Sequence, residues 1–442
     1  MSCAMKFVLI AAFTFTGCFT AYDLLIKRIN FIRSLFGIRE SRQLKIKRKL
    51  GEMKKAILLI SILSLFTISC KLGSSGQYSY QPPEYTMDGL ATGSLTDVEI
   101  KVAPIERAVN EIHRGRFKEV HSMLIYKDDK LVFEEYFQGH QYRWDAARHH
   151  GELVTWDRHM LHRTMSVTKS ITSICIGIAL DHGYIESVHQ SIFDYLPDHQ
   201  HLNTDGKNKI TIEHLLTMTS GLEWDEWHAA LSSARNDIVG IWYHDKGPVN
   251  FILERPLVDE PGTRYTYSGG NMILLGEIIR HATKSGIDEF SQKYLFDPLG
   301  VDSSNWVMRF ENGVMETGGG LKITPRNMAK IGVTMLKKGA WNGKQIISEE
   351  WVKKSATAFP GNQGINIPGE NSGRNGYSYS WWIKPFFVSG KRVNMFSAGG
   401  WGGQHIMVLP EINMVVVFTG GNYTTKRPPF KILTDFILPA VK

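Results

Sequence analysis

Cysteine is scarce in this sequence. Its 442 residues include four cysteines, and all of them except Cys175 precede residue 76. A lone cysteine in the rest of the chain excludes an internal disulfide there, and with it the class of small disulfide-stabilised scaffolds. Because Cys175 lies within the apolar run 171–180, we predict that it is a small buried hydrophobic residue and not a nucleophile.

Most of the chain also lacks a net positive charge. The 51 basic and 43 acidic residues give a net charge of +8. Residues 1–75 hold 13 lysines and arginines against three acidic residues, which leaves a net charge of −2 for the other 367 residues. The basic excess therefore belongs to the N-terminal segment and not to a globular surface, so we expect no nucleic-acid partner.

Several catalytic and metal-binding motifs are absent. The sequence contains no P-loop, no G-x-S-x-G nucleophile elbow and no H-E-x-x-H zinc motif. His199 and His201 could begin the zinc pattern H-x-H-x-D-H, but Asn203 and Thr204 stand where its Asp and last His belong. We therefore expect no metal and no other cofactor. The remaining clustered histidines are predicted to lie on the surface or to form hydrogen bonds, and they are His149, His150, His159 and His162.

The N-terminal segment has the features of an export signal. A Met-Lys-Lys sequence at 53–55 precedes the uncharged, mostly apolar run 56–68, which is too short to cross a bilayer as a helix. This pattern predicts a signal peptide over 53–70. Cys70 at its end resembles the acylated cysteine of bacterial lipoproteins, which becomes the mature N-terminus. The alternative is an ordinary signal peptide with an incidental cysteine.

The flanking segments complete the predicted organisation. Residues 1–52 are either a signal-anchor, since 7–22 is uncharged, or an extension ahead of a true start at residue 53. Residues 71–100 are turn-rich at their start and are predicted to be a tether, and 101–442 a single globular domain. We expect a protein of the bacterial cell envelope, anchored by lipid to a membrane and facing the periplasm or the exterior.

Strand-like segments lie at both ends of the globular part, with a helical region between them. A hairpin is predicted over 123–133 and further strands over 376–420, whereas 165–355 is mainly helical and a last helix covers 429–441. This order predicts an α+β fold. Its antiparallel sheet is built from the N- and C-terminal segments, is flanked by helices and carries an inserted, mainly helical lobe.

The sequence contains one S-x-x-K motif, Ser166 to Lys169, at the start of an apolar helical run. Residues three apart share a helix face, so the amine of Lys169 can reach the hydroxyl of Ser166. Burial disfavours a charged ammonium, which would let Lys169 take the proton of Ser166. The alternative is a capping serine followed by a solvated lysine.

This motif resembles the first motif of the serine β-lactamase and penicillin-binding-protein superfamily, especially its class C-like branch. That branch also includes carboxylesterases and 6-aminohexanoate-dimer hydrolases. Further matches in the same order extend over about residues 105–440. They are HLLTMTSGL at 214–222, PGTRYTYSGG at 261–270, GLKITPRNMA at 320–329, GAWNGKQII at 339–347 and SAGGWGGQ at 397–404.

The resemblance implies a role for each matched residue. Ser166 would be the nucleophile, Lys169 its base, and Tyr267 the group that passes a proton to or from the leaving group. The oxyanion hole would combine the backbone N–H of Ser166 with N–H groups of the last matched segment, at Gly399, Gly400, Trp401 and Gly402. Nearby tryptophans would line an acyl pocket or pack in the core, and they are Trp224, Trp227, Trp381, Trp382 and Trp401.

Two departures from the superfamily pattern bear on the substrate. Gly269 replaces the Asn of the second motif, and no cation stands at 397–400, where the third motif has Lys or His. In the superfamily that cation helps to hold the carboxylate of β-lactams and D-alanine peptides. We therefore expect a serine hydrolase of small esters or uncharged amides. A β-lactamase or D,D-peptidase is one alternative, with Arg264 or Arg326 replacing the cation. A non-catalytic module that binds the cell envelope is another.

Overall fold

The computed structural model describes residues 77–388 and 390–442. The predicted signal peptide, Cys70 and residues 1–52 lie outside these ranges. Within them, no helix combines the length and apolar character needed to cross a membrane.

The largest element of the described chain is an eight-stranded antiparallel sheet with the order β10-β11-β12-β13-β14-β15-β1-β2. The fifteen strands in the described ranges are β1 (Val120–Lys127), β2 (Lys130–Tyr136), β3 (Gln138–Tyr142), β4 (His150–Thr155), β5 (His162–Arg163), β6 (Ser304–Trp306), β7 (Leu321–Ile323), β8 (Ala340–Trp341), β9 (Lys344–Gln345), β10 (Ile365–Asn366), β11 (Arg374–Ser378), β12 (Trp381–Val388), β13 (Lys391–Gly400), β14 (Gln404–Leu409) and β15 (Met414–Gly420). The N-terminal hairpin pairs directly with the last strand, with Tyr126 opposite Val415. The predicted sheet from both chain ends is confirmed.

Helices cover both faces of this sheet. The α-helices of the described residues are α1 (Val102–His113), α2 (Val167–Asp181), α3 (Ile212–Leu216), α4 (Asp237–Gly240), α5 (Pro248–Leu253), α6 (Gly269–Thr283), α7 (Ile287–Ser291), α8 (Pro325–Leu336), α9 (Glu349–Ala356) and α10 (Pro429–Ile432). Alternate residues of β15 enter two separate cores, as the two-residue period of a strand requires. Val415 and Val417 pack with α2 and α8, whereas Val416 and Phe418 pack with α1 and the C-terminal helix.

The helical lobe predicted between the sheet segments packs on α2. Its longest helix, α6, lies against α2, and α3 and α5 pack on α6. Residues 167–179 of α2 are all buried, so this helix forms the floor of the lobe as well as a cover for the sheet. Thr211 caps α3, since its Oγ1 accepts a hydrogen bond from the N–H of His214 at 3.3 Å.

Two smaller sheets position the segment before Ser166. β3 and β4 form a hairpin that the sequence does not predict. β5 pairs with β7, which places His162 opposite Ile323 and fixes the chain three residues ahead of Ser166.

Residues 78–100, within the stretch predicted to be a tether, pack on the domain. The backbone N–H groups of Tyr78 and Tyr80 each donate to a side chain of α1 at 2.9 Å. The hydroxyl of Tyr80 donates to the carbonyl of Val132 at 2.7 Å. These contacts join the segment to α1 and to β2, the edge strand of the large sheet.

Candidate active site

Ser166 lies at the N-terminus of α2, directly after a backbone position that is uncommon for its residue type. Met165 has φ of +49°, in the left-handed region that non-glycine residues rarely adopt. The segment is held on its other side by the N–H of Thr164, which donates to the carbonyl of Leu321 at 3.0 Å. The side chain of Ser166 makes no capping hydrogen bond to the helix, so its Oγ remains available for reaction.

Lys169 lies one helical turn after Ser166 and is 5% exposed. Its Nζ is 3.2 Å from Ser166 Oγ and donates to the carbonyl of Gly318 at 3.0 Å. A Cβ at Gly318 would lie 3.3 Å from the amine, so a glycine there leaves room for it. The structure thus brings together the serine and lysine that the spacing of the motif placed on one face.

Tyr267 lies beside the Ser166–Lys169 pair. The Nζ of Lys169 lies 5.0 Å from the centre of its ring. The ring itself is stacked on Trp227 at 4.9 Å and on Trp382 at 5.8 Å, which fixes the direction of its hydroxyl. Burial raises the pKa of Tyr267, so the hydroxyl is protonated at neutral pH and can donate a hydrogen bond or a proton.

A carboxylate that the sequence analysis did not identify lies beside this group. Glu226 Oε2 accepts hydrogen bonds from Trp224 Nε1 at 2.8 Å and from the N–H of Gly269 at 2.6 Å. A Cβ at Gly269 would lie 3.0 Å from this oxygen, so Glu226 lies beside the position where the superfamily has the Asn of its second motif. Burial raises the pKa of Glu226, and the charge of Lys169 opposes that shift.

The end of β13 forms the opposite wall. A Cβ at Gly400 would lie 2.4 Å from the carbonyl O of Thr164 and 3.2 Å from the backbone N of Ser166, so the strand passes in direct contact with the nucleophile segment. Gly399, Gly400 and Trp401 line the cavity beside Ser166. Gly402 lies in the turn after them with φ of +89°, and a Cβ there would meet the ring of Tyr423 at 2.4 Å.

Two arginines line the cavity, Arg163 and Arg427, and neither is one that the sequence pattern suggested. Arg326 pairs with buried Glu134 at 2.8 Å, and Arg264 lies 3.6 Å from Asp259; neither lines the cavity. Arg427, after β15, does line it, but its Nη1 is 2.9 Å from Glu370 Oε1.

His405 adds a second contact to the same carboxylate, because its Nε2 is 3.1 Å from Glu370 Oε1. Burial acts to raise the pKa of Glu370, but His405 and Arg427 outweigh it and lower this pKa. Glu370 is therefore an anion that compensates Arg427. No sequence motif marks this set, because its members come from three distant segments and meet only in the folded chain.

These residues surround a cavity of about 610 Å³. Four of the five tryptophans named from the sequence line it, and Trp381 instead is fully buried in the core against Phe396. The rim carries exposed apolar rings at Trp144 and Tyr243. The arrangement offers a nucleophile with an adjacent amine, a proton donor and a backbone wall, all within an aromatic pocket that suits an acyl group.

Comparison with known proteins gives a consistent result. A family model described as Beta-lactamase matches residues 118–431. The 6-aminohexanoate-dimer hydrolase of Paenarthrobacter ureafaciens is 25% identical over 269 residues, which cover 59% of this chain and 65% of that protein. The monacolin J acid methylbutanoyltransferase of Aspergillus terreus is 26% identical over 154 residues, or 31% and 36% of the two chains. The chain thus spans less than two thirds of the length of these two relatives.

Solved structures share the fold at low identity. A family VIII carboxylesterase is 15% identical with a TM-score of 0.57, covering 77% of this chain and 97% of that one. The octameric penicillin-binding protein homologue of Pyrococcus abyssi is 21% identical with a TM-score of 0.55, covering 75% of both chains. The simvastatin synthase of Aspergillus terreus is 17% identical with a TM-score of 0.57, covering 76% and 97%. The predicted fold class is therefore confirmed.

Proposed function

This chain belongs to the beta-lactamase family, and we propose that it is a serine hydrolase that cleaves small, uncharged esters or amides through an acyl-enzyme on Ser166. The observation that carries the proposal is the contact of Ser166 Oγ with the buried amine of Lys169, 3.2 Å away, beside the Tyr267 ring and within an aromatic cavity. A binding module would not require a nucleophile, a base and a proton donor at one point.

The first half of the reaction forms the ester of Ser166. Lys169 accepts the proton of Ser166 Oγ, which attacks the carbonyl carbon of the substrate and pushes the carbonyl electrons onto oxygen. The N–H groups of Ser166 and of the β13 end stabilise that oxyanion. When the carbonyl re-forms, the bond to the leaving group breaks, and Tyr267 delivers the proton that the departing alkoxide or amine requires. The proton held on Lys169 then passes to the Tyr267 oxygen, so both groups enter the second half in their starting states.

The second half releases the acid. A water molecule attacks the acyl-enzyme carbonyl and gives a proton to the base, and Ser166 Oγ recovers its proton as it departs. The net reaction adds one water and yields a carboxylic acid with an alcohol or an amine. Lys169, one contact away from Ser166 Oγ, can accept and return the proton in both halves.

The pairing of Arg427 with Glu370 supports a neutral substrate. The guanidinium of Arg427 is compensated by Glu370, so it offers less attraction to a substrate carboxylate than an unpaired cation would. Glu226 adds a further carboxyl group beside Lys169. A charge-assisted hydrogen bond is worth about 1.5–3 kcal/mol, so its loss costs an anionic substrate about 10–150-fold in affinity.

The names of the relatives agree with acyl chemistry of this kind. They include a 6-aminohexanoate-dimer hydrolase, a carboxylesterase and a methylbutanoyltransferase. A β-lactamase or D,D-peptidase is the second candidate, and the presence of Arg163 and Arg427 in the cavity is the observation in its favour. Among the described residues Arg163 contacts Met308 and the ring of Tyr142 and no carboxylate.

The decisive measurement compares kcat/KM for nitrocefin with kcat/KM for p-nitrophenyl acetate and butyrate, using Ser166→Ala as the background. We expect the esters to be preferred. A nitrocefin preference of more than tenfold would assign a β-lactamase instead. Labelling by a fluorophosphonate alone supports the esterase assignment, additional labelling by a fluorescent penicillin supports the second candidate, and labelling by neither supports the binding module.

We further propose that the protein is exported and anchored through a lipid on Cys70. The support is the sequence pattern at 53–70. The mature protein should partition into detergent, and Cys70→Ala should release it or leave an unprocessed precursor. A mass spectrum with a free, unmodified N-terminus downstream of residue 70 would contradict the anchor.

A further inference from the structure

We propose that Glu119, His140 and His150 form a binding site for one zinc-class transition-metal ion, at a place distinct from Ser166. The three residues come from different elements: Glu119 directly precedes β1, His140 lies in β3 and His150 begins β4. One ligand atom from each lies within 4.8 Å of the others. In a tetrahedral zinc site the ligand atoms are about 3.3–3.5 Å apart, so the group must contract by little more than one ångström.

The hydrogen bonds of the group leave the required lone pairs. His150 Nε2 is 3.0 Å from the carbonyl O of Gly421, which can only accept, so Nε2 carries the hydrogen and Nδ1 of the neutral ring keeps a lone pair. His140 Nδ1 donates to Glu119 Oε1 at 2.8 Å. A cation that enters between these two atoms replaces the proton of this bond, and that proton leaves to solvent.

Surrounding groups fix the ligands as outer partners fix a metal site. The second oxygen of Glu119 accepts from the N–H of His140 at 2.9 Å and lies 3.3 Å from His121 Nε2. The rings of His140 and His150 are stacked with centres 4.5 Å apart and 6° between their planes, so one ring must rotate before the lone pairs of both point at a single ion. A Cβ at Gly421 would lie 2.8 Å from Glu119 Oε2, so a glycine there leaves room for the carboxylate.

The ligand set favours zinc over the alkaline-earth ions. Two imidazoles with one carboxylate bind zinc and its neighbours in the first transition row, whereas calcium and magnesium prefer oxygen ligands alone. Three protein ligands leave a fourth position for water. The histidines grouped in the sequence do not all contribute, since His149 instead makes an edge-to-face contact with Trp401, with ring centres 5.0 Å apart.

The position of the site gives it a structural consequence. A metal ion there would join the β3–β4 hairpin to the start of β1 in the main sheet. The same hairpin and its loop carry Tyr142 and Trp144, which line the cavity beside Ser166. Metal binding would therefore fix one wall of the cavity without taking part in the chemistry at the serine.

The test is direct binding of Zn²⁺ to the purified protein after treatment with a chelator. Equilibrium dialysis with elemental analysis should give one Zn²⁺ per chain, and Co²⁺ should produce the visible absorption of a four-coordinate site. His150→Ala and Glu119→Gln should each weaken binding by at least about 100-fold. His159→Ala is the control, because that histidine is exposed nearby and outside the group.

Two further measurements keep the result interpretable. Zn²⁺ should raise the melting temperature of the wild-type protein but not of His150→Ala, which reports binding even where a variant folds poorly. Ser166→Ala should bind Zn²⁺ as the wild type does, so failure of the hydrolase proposal would leave this site standing. The proposal is overturned if the wild type binds no stoichiometric metal, or if the control loses as much affinity as the ligand variants.

Discussion

Tyr267 is the proposed proton donor, and its neighbour two residues earlier is a matched control. Tyr267→Phe keeps the stack on Trp227 and Trp382 but removes the hydroxyl, so kcat/KM for p-nitrophenyl butyrate should fall about 10²–10⁴-fold. The hydroxyl of Tyr265 has no hydrogen-bond partner among the described residues and does not line the cavity. Tyr265→Phe should therefore leave kcat/KM nearly unchanged, and equal losses in both variants would refute the assigned role.

Glu226 links pH to stability at the same site. Burial raises the pKa of Glu226, so the folded state prefers the protonated side chain. This preference stabilises the fold fully at pH values below the pKa that Glu226 has in the unfolded chain. The stabilisation is lost as the pH rises through the pKa of Glu226 in the folded chain. Gln keeps the shape and cannot ionise. The melting temperature of Glu226→Gln, measured by calorimetry, should therefore rise relative to that of the wild type as the pH increases from 4 to 8.

Glu223→Gln is the control for this measurement, because Glu223 is exposed in the same loop. The difference in melting temperature between Glu223→Gln and the wild type should be the same across this pH range. The effect assigned to burial is contradicted if the melting temperature of Glu226→Gln, relative to the wild type, stays constant or falls as the pH rises.

The residues of the site differ in how far the sequence predicts them. Ser166 and Lys169 meet because they are three apart on one helix, which is a local property that spacing reveals. Tyr267 follows from its resemblance to a motif. Glu226 and Arg427 have no such signal, because only the packing of the lobe and of the chain after β15 brings their charges to the cavity.

Among the elements, the contact of β13 with the start of α2 sets the geometry of the proposed oxyanion hole. A Cβ at Gly400 would meet backbone atoms 2.4 and 3.2 Å away, and backbone cannot yield without moving the strand or the nucleophile. Gly400→Ala should therefore lower kcat by about 10²–10³-fold, the range for loss of an oxyanion donor.

Gly399→Ala tests the same strand one residue earlier. There the nearest atoms belong to the side chains of His405 and Trp382, both at 3.3 Å, and side chains can shift by a few tenths of an ångström. Its kcat should fall less than tenfold. If Gly399→Ala and Gly400→Ala lose comparable amounts of kcat, the strand tolerates neither alanine. The close approach of Gly400 to the backbone of Ser166 would then not be the cause of the loss.

Hydrophobic periodicity predicts the elements whose cores are local. The hairpin predicted over 123–133 and the last helix both form, and the helical lobe lies where its pattern places it. The β3–β4 hairpin escapes prediction because its sequence is polar and rich in histidine and arginine. Contacts with distant residues hold it, such as the ring of Tyr142 at 5.0 Å from that of Tyr423.

At the scale of the whole molecule, Arg326 joins the N-terminal stretch to the sheet and to α8. It is 5% exposed, and its guanidinium binds Glu134 at 2.8 Å and Asp88 at 3.1 Å. Removing one member of a buried ionic group costs about 3–5 kcal/mol, because the other charges remain buried. Arg326→Ala should lower the free energy of unfolding in urea by that amount.

Arg309→Ala provides the comparison, since Arg309 pairs with Asp288 at 3.0 Å on the surface, where a pair is worth about 0–1 kcal/mol. Neither variant should change the ratio of ester to nitrocefin turnover. If the ratio changes in Arg326→Ala but not in Arg309→Ala, then Arg326 contributes to substrate binding, which was one of the alternatives drawn from the sequence.

The pairing of β1 with β15 also dictates when the molecule can assemble. The hydroxyls of Ser122 and Thr419 lie 2.6 Å apart in the fold and 297 residues apart in the chain, so a ribosome makes the first partner long before the second. Until then the edge of β1 presents unpaired backbone groups, and such distant contacts form late because the loop between them must first be closed. The nascent chain therefore lacks its central sheet for most of its synthesis. That unfinished state exposes a strand edge on which another chain can pair.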